Sequence, residues 1–284
     1  MSARDLILAG VAGWPVAHSL SPLLHAHWLK IHGIAGAYLP LPIRPEHFAR
    51  AADGLAVSGF AGVNVTVPHK QTAANLASRR DADTETCGAA NLLLFRSDGM
   101  EARNTDVDGL AASLREGLGA GGHLYRNVIV LGAGGAARAT VLACERLRGA
   151  EITVLARKPG QAEKIVERLG GHIRARLRAR AMQDWEEVAQ DASLLVNATS
   201  AGMKGTAPLA LSLAPLPRAA AVCDLVYDPL RTPLLADAIR GKHAIVDGLG
   251  MLMHQAVPAF EAFFGVRPRV TPQLRALLEQ ALAS

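Results

Sequence analysis

The sequence predicts an α/β protein with mainly parallel strands, and three observations carry that reading. Between residues 6 and 67 short apolar strands alternate with helix-like segments, a β-α-β-α-β order that requires crossover helices and parallel pairing. Between residues 127 and 148 an apolar strand passes through a glycine-rich turn into a helix, the opening of a nucleotide-binding unit. Half of the 284 residues are hydrophobic and only 4% are aromatic, so the core is aliphatic and large enough to fill α/β layers.

The net charge of +5 suits anionic ligands such as phosphates or carboxylates, and suits an ordinary soluble surface equally. Cys87, Cys144 and Cys223 lie far apart with no C-x-x-C pair. That argues for reduced thiols in the cytoplasm and against a disulfide or zinc framework, so no metal is expected. Leu6–Val16 is an apolar run behind Arg4, faintly like a signal peptide. Asp5, Gly10, Gly13 and Pro15 fit a buried first strand better. No apolar stretch reaches membrane-spanning length without a polar or proline break.

In chain order, Leu6–Val11 reads as a strand feeding the loop Gly13–Pro22. Ser21 before Pro22 reads as the N-cap of a helix that runs to about Ile31 and stops at Gly33. Capping does not account for Ser19, and two hydroxyls at a helix N-terminus make a seat for a carboxylate. His18, His25, His27 and His32 show no ligand spacing and read as surface or packing residues. Ala37–Ile43 is a second strand and Pro45–Ala56 a helix. In Val63–Val67 the valines alternate with Asn64 and Thr66, the mark of a strand with one apolar face. Pro68 ends that strand and opens a short helix with Lys70 in its first turn. The partial positive charge of a helix start opposes an ammonium, which makes Lys70 a candidate general acid/base; a solvated surface lysine is the plain alternative. Ligands in such sheets collect beyond the carboxyl ends of the strands, where Lys70 and Ser19 both fall, and the cleft reading outweighs the surface one.

Asn91–Arg96 and Met100–Asp106 flank Asp98-Gly99, a two-residue hairpin turn. With Ser97 facing Met100, the register sets Asn91 opposite Asp106 at the open end of an apolar hairpin. Asp106 suits equally the cap of a helix starting near Val107.

Asn127–Leu131 is an apolar strand followed by Gly132-Ala133-Gly134-Gly135-Ala136-Ala137-Arg138 and a helix to about Arg148. This G-x-G-x-x-A run, between strand and helix, lets a pyrophosphate approach the helix N-terminus. Glu151–Ala156 is the next strand. Where an NAD site presents a carboxylate to the ribose, this chain has Ala156-Arg157-Lys158. Two cations there suit a 2′-phosphate and favour NADP over NAD. Ile173–Arg180 alternates four arginines with apolar residues, the pattern of a solvent face or a guarded edge strand. Without interleaved aromatics it is no nucleic-acid reader. Leu194–Val196 and Val222–Val226 complete the second sheet and run into Asn197-Ala198-Thr199-Ser200 and Tyr227-Asp228-Pro229. Asp247-Gly248-Leu249-Gly250 opens a final helix that carries Gln255 and that Pro258 should kink or interrupt.

Six stretches, in this order, resemble the shikimate dehydrogenase family. They are Ser19–Pro22, Asn64–Lys70, Asn104–Asp106, Gly132–Arg138, Asn197–Ser200 and Asp247–Met251. The resemblance covers nearly the whole chain and implies a two-domain enzyme. Residues 1–106 with 244–284 would form a substrate domain completed by the C-terminal helices, and 107–243 a Rossmann-like NADP-binding domain, with hinges near Asp106 and Ala244. It implies that Ser19 and Ser21 hold the substrate carboxylate, and that Thr66, Asn91 and Gln255, with Asn64 in the same set, hold its hydroxyls. Lys70 and Asp106 would form the catalytic pair. Gly132, Ala133, Gly134, Gly135, Ala136, Arg138, Ala156, Arg157, Lys158, Thr199 and Leu225 would line the cofactor site, with Tyr227 and Gly248 near nicotinamide and substrate. Two positions depart from the family's usual pattern: Leu92 stands where threonine is usual, and Lys158 where threonine or serine follows the arginine.

The implied activity is the reversible NADPH-dependent reduction of 3-dehydroshikimate to shikimate, in aromatic amino acid biosynthesis. A quinate or dual-specificity quinate/shikimate dehydrogenase is the close rival, and Arg157-Lys158 argues against the NAD that many such enzymes use. A non-catalytic sensor of the same ligands is the rival from another class. Retention of Lys70 and Asp106 argues against it, and no DNA-binding segment is expected beside the core. Leu92 leaves open another small hydroxy acid. The expected partner is the small-molecule substrate, with no nucleic acid and no membrane, in a cytoplasmic monomer or homodimer.

Overall fold

Short runs rich in valine, leucine and alanine build two six-stranded sheets. The computed structural model describes residues 6–119 and 125–283; Arg4 and Asp5, which bear on the leader-like reading, lie outside them. The chain divides into two units, Met1–Thr105 with Gln255–Ser284, and Asp106–His254.

The first unit begins with β1 (Ile7–Gly13), α1 (Ser21–His32), β2 (Gly36–Pro42), α2 (Phe48–Val57) and β3 (Phe60–Val65). It continues with α3 (Lys70–Leu76), β4 (Arg79–Arg80), α4 (Ala82–Cys87), β5 (Leu92–Arg96) and β6 (Gly99–Arg103). The strand order is β2-β1-β3-β5-β6-β4. β1 lies parallel to β2 and β3, and the β5–β6 hairpin joins antiparallel to β3. Ala73 and Ala74 of α3 bury against Val63 and Val65 of β3 and Phe48 of α2, which fixes the helix that begins at Lys70.

Three local expectations are corrected here. Ser21 is not an N-cap: Leu20 already has right-handed helical backbone at φ −80°, so Ser21 is the first residue of α1. The Oγ of Ser19 instead accepts the Ser21 amide at 3.3 Å. β3 ends at Val65, because the chain turns at Thr66, and Val67 is 69% exposed. The hairpin loop is Ser97-Asp98, since Gly99, with φ +125°, sits inside β6 opposite Arg96. That slips the register by two residues, which sets Asn91 opposite Asn104 and not Asp106, and the Asn91 side chain bonds the Thr105 hydroxyl. Asp106 is the first residue of the next helix.

The second unit contains α5 (Asp106–Leu118), β7 (Asn127–Leu131), α6 (Gly135–Arg146), β8 (Glu151–Ala156), α7 (Pro159–Leu169) and β9 (Arg176–Ala181). It goes on through α8 (Trp185–Val188), β10 (Leu194–Asn197), β11 (Ala221–Asp224), α9 (Pro233–Arg240) and β12 (Ile245–Val246). Every pairing in this sheet is parallel and the order is β12-β11-β10-β7-β8-β9. Read from β9, that is the doubly wound order 3-2-1-4-5-6, which reverses direction between β7 and β10. The arginine-rich strand β9 lies at the edge, where Arg178 reaches Glu151 of β8 at 3.4 Å. β11 stops at Asp224, short of the expected Val226, because the Asp224 carboxylate accepts the Val226 amide and turns the chain.

Helix α10 (Gly248–Phe264) contains the boundary between the units, and α11 (Pro272–Ala283) closes the chain. α10 runs through Pro258 without interruption. Ala259, Phe260, Phe263 and Phe264 beyond the proline are all buried, and their packing outweighs one missing helix bond.

Candidate active site

In the first unit the expected substrate residues gather beyond the ends of β1 and β3. The turn before α3 is braced by His69, whose ring stacks on Phe48 at 4.4 Å and whose Nε2 lies 2.8 Å from the Ile43 carbonyl. Burial lowers the His69 pKa, and the Ile43 carbonyl only partly opposes this. Lys70, half-buried, takes the first position of α3, and its carbonyl accepts the Ala90 amide at 2.8 Å. The amide of Thr66 donates to the Ala12 carbonyl at 2.9 Å, which ties the turn to β1.

Four of the expected residues belong to one hydrogen-bonded set. Asn91, buried at the head of β5, accepts the Thr105 amide at 2.7 Å and donates to the Thr105 hydroxyl at 2.8 Å and to Gln255 Oε1 at 3.1 Å. Asn64 donates from Nδ2 to the Asn91 carbonyl at 3.1 Å and accepts the Tyr38 hydroxyl at 2.7 Å. The Ser21 hydroxyl bonds the same Tyr38 oxygen. Tyr38 and Thr105 were not expected from the sequence. Tyr38 is a lone aromatic within β2, and its polar-tipped ring on a short aliphatic strand was the available signal. Leu92 is fully buried in the hairpin core.

In the second unit the expected cofactor residues line the carboxyl ends of β7, β8, β10 and β11. Gly132 has φ +114°, and a Cβ there would lie 3.0 Å from the Thr199 methyl and 3.1 Å from the Ala198 carbonyl. Only glycine fits that turn. Around Gly134, which precedes α6 with extended backbone, a Cβ would meet nothing within 4 Å. That open space lies at a helix N-terminus, the place a phosphate group needs. Ala133, Gly135 and Ala136 complete the turn, and Arg138 lies in the first turn of α6. Ala156 ends β8, with Arg157 and Lys158 exposed just beyond and no carboxylate among them. This set fits a dinucleotide that carries a 2′-phosphate.

The loops beyond β10 and β11 are tied together by a buried carboxylate. Asp224 accepts from Asn197 Nδ2 at 2.9 Å, from the Val226 amide at 3.1 Å and from the Thr232 hydroxyl at 2.6 Å. Burial raises its pKa, while the three donors act in the opposite sense. Asn197 Oδ1 in turn accepts the amide and hydroxyl of Thr199 at 3.1 and 2.7 Å. Gly248 presses on the backbone of Leu225, whose carbonyl would lie 2.3 Å from a Cβ there. Leu225 and Tyr227 follow Asp224 directly in this braced segment. Asp106, 4% exposed, heads α5. Among the described residues no group of three or more His, Cys, Asp or Glu side chains is placed to hold a metal ion.

A doubly wound sheet with a glycine turn at its reversal point, joined to a unit rich in buried hydroxyls and amides, defines a dinucleotide-binding α/β protein. A family model described as the shikimate dehydrogenase substrate binding domain matches residues 11–93. A shikimate dehydrogenase (NADP(+)) of Paramagnetospirillum magneticum is 47% identical over 275 residues, covering 95% of this chain and 97% of its own. The crystal structure of shikimate 5-dehydrogenase from Thermus thermophilus, in complex with NADP(H) and shikimate, is 32% identical with a TM-score of 0.82, at 98% coverage of both chains. Quinate dehydrogenase from Corynebacterium glutamicum, in complex with NAD, is 27% identical with a TM-score of 0.87, covering 99% of this chain and 100% of its own. The chain belongs to the shikimate dehydrogenase family.

Proposed function

We propose that this chain catalyses the reversible NADPH-dependent reduction of 3-dehydroshikimate to shikimate, a step of aromatic amino acid biosynthesis. The observation that carries the reading is Lys70 at the start of α3, whose carbonyl accepts the amide of Ala90, the residue before Asn91 of the buried neutral set. A polyhydroxylated acid needs such a set, and its ketone needs one proton donor. The NADP-dependent relative at 47% identity supports the same assignment.

Ser19 and Ser21, at the start of α1, take the substrate carboxylate, and Asn64, Thr66, Asn91 and Gln255 take its hydroxyls. Gly132, Ala133, Gly134, Gly135 and Ala136 take the cofactor's pyrophosphate, Arg138 lines the same site, and Arg157 and Lys158, beyond Ala156, take its 2′-phosphate. Thr199, Leu225, Tyr227 and Gly248 form the wall for the nicotinamide. When bound, that cofactor supplies the hydride. Lys70 delivers a proton to the oxygen that becomes an alkoxide at C3, and takes it back in the reverse direction. Asp106 is the second member of the catalytic pair, a buried carboxylate at the head of α5. Cys87, Cys144 and Cys223 are buried free thiols, which supports action in the reducing cytoplasm. A monomer or homodimer is the working form.

The test is the initial rate of nicotinamide reduction with shikimate or quinate, each offered NADP or NAD. Preference for shikimate with NADP is the expected result. Activity with quinate or NAD would move the chain to the dual-specificity branch, and silence in all four would overturn the assignment.

A further inference from the structure

Tyr38 stands apart from the residues given a role above, yet two of them bond its hydroxyl. Its side chain is 6% exposed and its oxygen donates to Asn64 Oδ1 at 2.7 Å. The Ser21 hydroxyl reaches the same oxygen. A phenol has one proton to give and lone pairs to accept with, so it can serve both neighbours at once.

The ring that carries this hydroxyl has little freedom. His25 lies face-on to it at 3.8 Å and 6°, and Phe263 packs at 6.3 Å. Both His25 nitrogens are buried without a hydrogen-bond partner. Burial lowers the His25 pKa to about 3, so the ring is neutral and acts on Tyr38 through stacking. The hydroxyl is therefore a fixed point between the start of α1 and the end of β3.

We propose that Tyr38 is a positioning residue that couples recognition of the substrate carboxylate to recognition of its hydroxyls. The inference rests on the shikimate reading above. The carboxamide of Asn64 has two ends that differ only in chemistry, and the Tyr38 proton decides which end faces Asn91 and which faces inward. The Ser21 hydroxyl has one proton. When a carboxylate takes it, the Tyr38 proton turns to the Ser21 oxygen, forming a chain of bonds that strengthens the grip on the anion. Asn64 Oδ1 is then released to accept a substrate hydroxyl. A ligand with both groups gains from each, whereas a ligand with only one gains less than half.

The experiment compares the full chain with Tyr38→Phe, which keeps the stacked ring and removes only the oxygen. Calorimetric binding of shikimate is measured beside KM for shikimate, KM for NADP and kcat. Ser21→Ala is made alone and in the Tyr38→Phe background. The expected result is a rise of about tenfold in the Kd and KM for shikimate, with KM for NADP and kcat within about twofold of wild type. Ser21→Ala should weaken shikimate markedly in the wild-type background and much less after Tyr38→Phe, as coupled residues do. Unchanged shikimate affinity, or additive effects of the two substitutions, would overturn the coupling. An equal rise in both KM values would reduce Tyr38 to a packing residue and overturn it too. A wild-type protein that neither binds nor oxidises shikimate would overturn the functional reading and this inference together, whereas an active wild type matched by Tyr38→Phe overturns this inference alone.

Discussion

Beyond the strand ends of the first unit the buried polar side chains are neutral. Tyr38, Asn64, Asn91, Thr105 and Gln255 hold one another by hydroxyl and amide bonds. At the corresponding place in the second unit the organising group is a carboxylate, Asp224, ringed by Asn197, Val226 and Thr232. The difference follows from what each unit has to hold. Neutral donors and acceptors can be shared with a hydroxylated ligand and exchanged when it binds. A carboxylate that stays buried cannot give up a donor without a large penalty, so it suits loops that must stay in one shape. On the proposed reading the proton is moved by Lys70, the half-buried cation at the start of α3.

The largest effect that bears on this contrast is at Lys70. Lys70→Ala should lower kcat by about 10²–10⁴-fold, the usual worth of a general acid. Calorimetry should show shikimate binding largely intact, because the neutral set remains. Near-normal turnover would place the proton transfer elsewhere.

Next is the carboxylate. Asp224→Ala leaves three buried donors without an acceptor, and chemical denaturation should show a loss on the order of 3 kcal/mol. KM for NADP should rise while shikimate affinity stays. Asp224→Asn keeps the shape and two of the acceptor bonds, so its loss should be about 1 kcal/mol. Equal losses for the two variants would mean that the side chain acts by filling space.

The acid side of the stability curve separates the units a third way. The unfolded His25 titrates at the ordinary value of 6.5 and the folded ring at about 3. Between these the unfolded chain binds a proton that the folded chain refuses. The contribution of His25 is therefore complete above pH 6.5 and is lost as pH falls toward 3, by about 1.4 kcal/mol per unit. His25→Phe keeps a stacking ring and removes the titration, so stability measured against pH should fall less steeply below 6.5. Parallel curves would mean that water reaches the His25 ring.

What the sequence made legible was local in origin. Gly132–Arg138 could be read because a tight turn between strand and helix demands glycine at φ +114°, a requirement carried by the residue itself. The G-x-G-x-x-A run and the cations at Arg157-Lys158 needed no partner from elsewhere in the chain. The misreadings were where a distant partner decides. Ser21 looked like a cap, yet Leu20 already has helical backbone and the Ser21 hydroxyl is shared with Tyr38 of β2. Val67 fits a strand pattern, yet the backbone turns at Thr66 and leaves it exposed. The hairpin register depended on whether Gly99 is in the turn or the strand, a choice that two-residue patterns leave open. Tyr38 itself lies 26 residues from Asn64, and no spacing rule joins them.

The smallest predicted effect concerns cofactor choice. Arg157 and Lys158 are exposed just beyond β8, so on the proposed reading each would make a screened, solvent-accessible contact to a 2′-phosphate. Arg157→Ala should raise KM for NADP by about tenfold at low salt, less at high salt, and leave KM for NAD unchanged. Because shikimate carries no 2′-phosphate, KM for shikimate should not move. A parallel rise in the KM for NAD would mean that Arg157 supports the pyrophosphate turn and does not read the 2′-phosphate. The discrimination would then rest on Lys158, the position at which this chain departs from the usual threonine or serine. Lys158→Thr, by the same assay, should in that case produce the selective loss that Arg157→Ala did not.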